Sequence, residues 1–362
     1  MQRIVLPPRS RILVVALRRL GDVLLTTPLI RSLKRAFPDA AVDALVFAGT
    51  EGILAGNPDL AGVVTMPAHP GAGESLALAR RLWRRYDLAV STQSGDRPTW
   101  FAWVAGRVSA GPVEGRRLGA RLKALALDRA VAADGNRHRV AEVLALAEAL
   151  GVAPVGEVVA PSGSLRAELR PGRRYAVVHA EPMFRYKRWT EAGWRALAAA
   201  LAARGLAVVA TGAPSDRERL DGLWHDTEVM RRDGALTWGE LATLIREAAV
   251  YVGPDTSVTH LAAATGAPTV ALYGPTDPRL WGPWPERGLD APWAAAGTIQ
   301  RRGNAWLVQN PLPCLPCQQE GCLRRIDSHS QCLDELSVEQ VLRAVDQALA
   351  GEGAGLAPAS PS

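Results

Sequence analysis

At 362 residues, 48% of them hydrophobic and 22% charged, the chain has the size and composition of a globular protein able to bury two cores. Its net charge of +6 is one-sided: residues 1–160 carry 21 Lys/Arg against 14 Asp/Glu, whereas residues 161–362 carry 21 against 22. The longest apolar runs, such as residues 12–17, fall far short of the ~20 residues that cross a bilayer, and the N-terminus lacks an apolar stretch leading to a small-residue cleavage site, so a cytoplasmic protein is expected.

In chain order, a β-branched run predicts a strand over residues 11–17, a turn over 18–21 and an amphipathic helix over 23–37, stopped by Pro38. A strand over 41–47, a helix over 76–85, a strand over 87–91 and a helix over 138–150 follow, the last with Gly151 as its C-terminal cap. Residues 151–172 are rich in Pro, Gly and Ser and read as an interdomain linker. A second alternating series then begins, with strands over 175–179, 207–211, 250–253 and 269–273 and helices over 191–204, 238–248 and 257–265. A last helix is predicted over 338–349, and the tail GEGAGLAPASPS has the composition of a disordered segment. Alternating strands and helices in two blocks predict an α/β protein of two doubly wound, Rossmann-like domains facing across a cleft, over residues 1–160 and 161–350, with a disordered tail from 351 to 362.

The residues with chemistry cluster where predicted strands end. Arg18-Arg19-Leu20-Gly21-Asp22 follows the first strand, at the carboxyl edge where open parallel sheets bind ligands. Asp22 there suits either a base or an ordinary helix cap. Asp255-Thr256-Ser257, followed by His260, opens a helix directly after a strand. Free amides and hydroxyls at such a helix start form a cradle for a diphosphate. Lys187 lies in the loop after the first strand of the second series and is placed to neutralise an anion. Asp216 and Glu218, after the next strand, are candidates for ribose hydroxyls. Neither a GxGxxG nor a GxxxxGK[ST] fingerprint marks these loops, so an ordinary dinucleotide or P-loop site is not indicated.

Three stretches carry a family resemblance: LRRLGDVLLTTPLIRSLKRAFP, KRWTEAGWRALAAAL and, most specifically, YVGPDTSVTHLAAATGAPTVALYGPTDP. Together they resemble the family-9 glycosyltransferases, the ADP-heptose:lipopolysaccharide heptosyltransferases, from Arg11 to about Ala350. STQSGDRPTWFAWVAGR further resembles a subgroup similar to heptosyltransferase III. The resemblance implies a GT-B fold, with the acceptor on the N-terminal domain and the nucleotide sugar on the C-terminal one. It implies inverting transfer of heptose from ADP-heptose to the lipopolysaccharide inner core, with no cofactor required. It also implies Asp22 as catalytic base and Lys187, Glu218, Asp255, Thr256, Ser257 and His260 as donor-binding residues. Glu181-Pro182 stand where some members carry paired hydroxyl residues, a departure that bears on donor recognition.

A phosphorylated glycolipid acceptor suits the basic first half, with Arg18, Arg19 and Arg97 as contacts, and allows peripheral contact with the inner membrane at its cytoplasmic face. Nucleic acid is not an expected partner, because the arginines are dispersed. The four cysteines, Cys314, Cys317, Cys322 and Cys332, open with a C-x2-C spacing and form a candidate structural zinc set. Their later spacings are not those of a standard zinc ribbon, and reduced packing thiols are the competing reading. The alternatives for the whole chain are a GT-B transferase using another nucleotide sugar for a different surface glycan, a nucleotide-sugar epimerase, and a non-catalytic binding protein of the same fold.

Overall fold

The computed structural model describes residues 4–115 and 118–354. It divides into two compact units, Met1–Pro161 and Ser162–Ser362. The first is built on a parallel sheet of six strands: β1 Arg11–Ala16, β2 Ala41–Phe47, β3 Gly62–Met66, β4 Tyr86–Ser91, β5 Gly106–Val113 and β6 Arg129–Ala132, in the order β3-β2-β1-β4-β5-β6. Two cores cover its faces. One joins Ile12, Val14, Leu29 and Ile30 to Val143 and Leu146 of the helix Arg139–Ala149; the other joins Leu13, Val15, Leu45 and Phe101. Burial on both faces explains why β1 reads as an unbroken apolar run.

The second unit adds seven strands: β7 Tyr175–His179, β8 Ala207–Thr211, β9 Met230–Arg231, β10 Val250–Pro254, β11 Thr269–Leu272, β12 Ile299–Arg302 and β13 Ala305–Val308. Their order is β12-β13-β11-β10-β7-β8-β9, parallel except for the antiparallel pair β12–β13. Each sheet therefore reverses its winding once, between β1 and β4 in the first unit and between β7 and β10 in the second. These are the switch points at which doubly wound sheets leave a crevice at their carboxyl edge.

The structure differs from the sequence reading or adds to it in several places, among them strands β5, β9, β12 and β13 and the helices Asp96–Ala105 and Leu118–Ala126, which were not expected. The single helix expected over 23–37 is two, Leu20–Leu24 and Thr27–Ala36, with Pro28 near the start of the second. Residues 151–172, read as an interdomain linker, contain the division between the two units, and both halves are tied down. The amides of Val155 and Val159 donate to Ser32 Oγ and Thr27 Oγ1 at 2.9 Å, and the Gly163 carbonyl accepts from Thr243 Oγ1 at 2.6 Å, so each half of the segment is fastened to its own unit. Strands β3 and β6, which were not expected, are short and largely exposed or half-buried. Residues 351–354, expected in the tail, extend the helix Val338–Ala354; the rest of the tail lies outside the described residues.

Candidate functional site

At the switch point of the first sheet, Asp22 lies in the first turn of the helix Leu20–Leu24, yet Arg19 is the N-cap residue and no side chain caps that end. The Asp22 carboxylate faces two guanidinium groups instead: its Oδ1 is 3.7 Å from Arg18 Nη1 and 3.6 Å from Arg139 Nε. Arg139 is buried at the start of the helix Arg139–Ala149. It donates from Nη2 to the Thr92 carbonyl at 2.8 Å and from Nη1 to Glu142 at 3.2 Å. Thr92 follows β4, and its own amide donates to Val15 of β1 at 3.0 Å. The two strands that flank the switch point thus fix the residue that faces Asp22. Among the described residues, Asp22 Oδ1 and Arg139 Nε are both buried and both lack a hydrogen bond, although they oppose each other.

Arg18 and Arg19 are exposed on the same loop. Arg97, exposed in the first turn after β4, donates to the Ala68 carbonyl at 3.0 Å. Nothing in the sequence singled out Arg139: it is one arginine among many, 117 positions from its partner.

At the switch point of the second sheet, Lys187 after β7 and Asp255 after β10 form an ion pair at 2.5 Å. Thr276 Oγ1 donates to the same carboxylate oxygen at 2.6 Å. Asp255 is buried, which by itself would favour its neutral form. The Lys187 ammonium and His260 outweigh that, and the carboxyl stays below the usual aspartate range. Thr256 is the N-cap of the helix Ser257–Ala264 and accepts from the Thr259 amide at 3.4 Å, so its hydroxyl oxygen serves the helix start directly. Behind it, Thr259 Oγ1 donates to the Pro254 carbonyl at 2.5 Å and lies 3.0 Å from the Tyr251 hydroxyl. A Cβ on Gly253 would lie 2.2 Å from that hydroxyl, so glycine is required there by close packing. Much of the quoted block therefore shapes the turn that carries Asp255, Thr256, Ser257 and His260.

The motif KRWTEAGW positions Lys187 in the same indirect way. Thr190 caps the helix Glu191–Ala203 by accepting from Gly193 at 3.1 Å, and Trp189 lies across Gly193, where a Cβ would come within 2.6 Å of the indole. The Trp189 indole donates to the Leu336 carbonyl at 2.8 Å and meets Trp194 edge-on at 5.3 Å, which anchors the end of the loop in the core.

Glu218 stands apart from this cluster, exposed in the first turn of the helix Arg217–Leu223 after β8. Asp216 accepts locally from the Ala213 amide at 3.0 Å. Glu181 is buried and held by Arg188 at 2.9 Å and Arg219 at 3.2 Å, so the carboxylate that replaces the hydroxyl pair is neutralised by two cations. His179, at the end of β7, is buried against Thr211 Oγ1 at 3.1 Å, and burial pushes its pKa down to about 4, which keeps the ring neutral.

The four cysteines are all free, with Cys332 buried. Among the described residues no group of three or more His, Cys, Asp or Glu stands in a metal-holding arrangement, so the candidate four-thiolate zinc set is not assembled. Cys332 packs beside Leu333 under Gly274, and burial, with the other three cysteines nearby, pushes its thiol up to about 12. Cys322 Sγ accepts from the Gln331 amide at 3.3 Å.

Two Rossmann-like units, each gathering polar side chains at its own switch point, make up a GT-B fold. The structure is similar to that of E. coli ADP-heptose lps heptosyltransferase II, with a TM-score of 0.73 and 20% identity over 95% of this chain and 99% of that one. The chain belongs to glycosyltransferase family 9 (heptosyltransferase), whose model matches residues 75–291. It is 29% identical to lipopolysaccharide heptosyltransferase 1 of Pseudomonas aeruginosa over 92% of this chain and 93% of that protein. It is 30% identical to lipopolysaccharide heptosyltransferase 3 of Escherichia coli over 73% of this chain and 83% of that one.

Proposed function

We propose that this enzyme transfers heptose from ADP-heptose to a hydroxyl of the lipopolysaccharide core, with inversion at the anomeric carbon and without a divalent metal in the chemical step. The observation that carries the reading is the cluster that Lys187 and Thr276 form on the buried Asp255, beside the start of the helix Ser257–Ala264. A fixed ammonium next to helix-terminal amides is a preorganised receptor for a diphosphate, and it stabilises the charge that grows as ADP departs. The names of the matched relatives support heptose, ADP and the lipopolysaccharide core as the chemistry involved.

In this reading residues 161–350 form the donor domain. Lys187 and the amides at Thr256 and Ser257 meet the diphosphate, Asp255 holds Lys187 in place with His260 on the same carboxylate, and Glu218 takes ribose hydroxyls. Glu181, neutralised by Arg188 and Arg219, does not repel the donor. Residues 1–160 form the acceptor domain, with Arg18, Arg19 and Arg97 toward phosphate groups of the glycolipid. Asp22 removes the proton from the attacking hydroxyl as that oxygen bonds to the anomeric carbon and the bond to ADP breaks. Arg139 and Arg18 hold the carboxylate in place. Transfer then occurs on the cytoplasmic side of the inner membrane.

The test is incubation of the enzyme with ADP-heptose and core-truncated lipopolysaccharides in the presence of EDTA. The product should gain one heptose by mass, and NMR should report an anomeric configuration opposite to that of the donor. Turnover with a UDP-sugar but not with ADP-heptose would move the assignment to another surface glycan.

A further inference from the structure

The first unit carries a strip of exposed apolar side chains that its own core does not use. The helix Leu118–Ala126 buries none of its residues, and Leu118, Leu122 and Leu125, four and three positions apart on one face, are 73%, 58% and 83% exposed. Lys123 of that helix pairs with Asp96 at 2.6 Å and donates to the Ser94 carbonyl at 2.7 Å, which fastens the helix beside the start of the helix Asp96–Ala105. Trp100 and Trp103, both exposed, share a face of that second helix with Asp96. Trp103 meets Trp83 edge-on at 6.5 Å, and Trp83 shares a helical face with exposed Leu76 and Arg80. Arg84 lies over the Trp83 ring at 5.7 Å, and its guanidinium donates to the Gly106 carbonyl at 2.7 Å, which places it against exposed Arg107.

Single exposed apolar residues need no explanation, but three neighbouring tryptophans beside a helix with a bare leucine face do. We propose that this strip is the surface by which the enzyme docks on a bilayer containing anionic lipid. Tryptophan is the side chain that settles at the headgroup level, and a leucine-faced helix with a basic flank lies in that interface. Arg80, Arg84, Arg107 and Arg121 supply the charge complement to lipid phosphates. A second copy of the chain is disfavoured as the occupant, because pairing this face with itself would bring like charges together. Among the described residues no helix is long and apolar enough to cross a membrane, so attachment of this kind would be peripheral. The inference does not rest on the proposed reaction.

The test sediments the full chain with vesicles of phosphatidylethanolamine and phosphatidylglycerol, with phosphatidylcholine vesicles as the neutral control. The wild type should partition onto the anionic vesicles and be released by salt. The double variants Trp83→Ser/Trp103→Ser and Leu122→Ser/Leu125→Ser should each weaken partitioning by roughly ten-fold. Leu323→Ser, exposed in the second unit, should change nothing. Circular dichroism and ADP binding on the same samples establish that the variants are folded. Equal partitioning of the strip variants and wild type overturns the proposal, as does absence of vesicle binding by the wild type. So does a lipid-independent dimer that the variants dissociate, or tighter binding of the wild type to a single-stranded oligonucleotide than to vesicles. Failure to turn over ADP-heptose would count against the proposed reaction and leave the vesicle result standing.

Discussion

In the proposed reaction, the Asp22 carboxylate is held by Arg139 without a direct hydrogen bond. A direct, well-aligned hydrogen bond from Arg139 Nε would occupy a lone pair of the carboxylate; at 3.6 Å the guanidinium supplies field and orientation and leaves that lone pair unengaged. Asp22→Asn should lower kcat by at least about 100-fold while ADP affinity, measured calorimetrically, stays within error. Arg139→Gln should lower kcat by about ten-fold or more with little change in the KM for ADP-heptose, and Arg139→Lys should recover part of the loss. A purely structural role would instead lower thermal stability and both kinetic constants together, with no advantage for lysine. The place of Asp22 at the sheet's carboxyl edge was legible in the sequence because a glycine-aspartate pair follows an obvious strand, while its proposed role as base came from the family resemblance. Arg139 was not, because only the adjacency of β1 and β4 brings its helix to that place.

At the scale of elements, the legible parts are those whose burial is uniform. Strands β1, β7, β8, β10 and β11 are buried along nearly their whole length and announce themselves as β-branched runs. The pairing of Lys187 with Asp255 was hidden, because the residues lie 68 positions apart and only the order β10-β7 makes their loops neighbours. The turn after β7 also has a packing requirement that can be tested. Gly193→Ala would set a methyl group 2.6 Å from the Trp189 indole, and the expected loss is about 1–3 kcal/mol, read as a lower urea midpoint with an unchanged slope. His179, at the end of the same strand, makes a second prediction. Its folded pKa of about 4 lies below the ordinary 6.5, so the unfolded chain takes up the proton first as pH falls. Its contribution is complete above pH 6.5, declines between 6.5 and about 4, and is constant below that. The loss should be on the order of 3 kcal/mol. His179→Asn, which retains a polar atom near Thr211 but cannot titrate, should flatten that part of the curve in denaturation series at fixed ionic strength.

For the whole molecule, the division at Pro161/Ser162 makes the proposed division of labour testable. The second unit has its own cores, one around Trp194, Leu197, Val252 and Val345 and another around Tyr273, Trp293 and Leu307. Every residue proposed to meet the nucleotide belongs to it. A fragment comprising residues 162–362 should therefore unfold cooperatively and bind ADP within about three-fold of the intact chain, since neither its core nor its anion receptor draws on the first unit. Lys187→Ala should weaken ADP binding by about ten-fold or more, and equally in fragment and intact enzyme, because a charge-assisted contact contributes roughly 1.5–3 kcal/mol. Equality is the decisive feature. If the substitution cost far less in the fragment, or if the folded fragment failed to bind ADP, residues of the first unit would have to share in holding the nucleotide. The assignment of donor and acceptor to separate units would then fail even with the transfer chemistry intact.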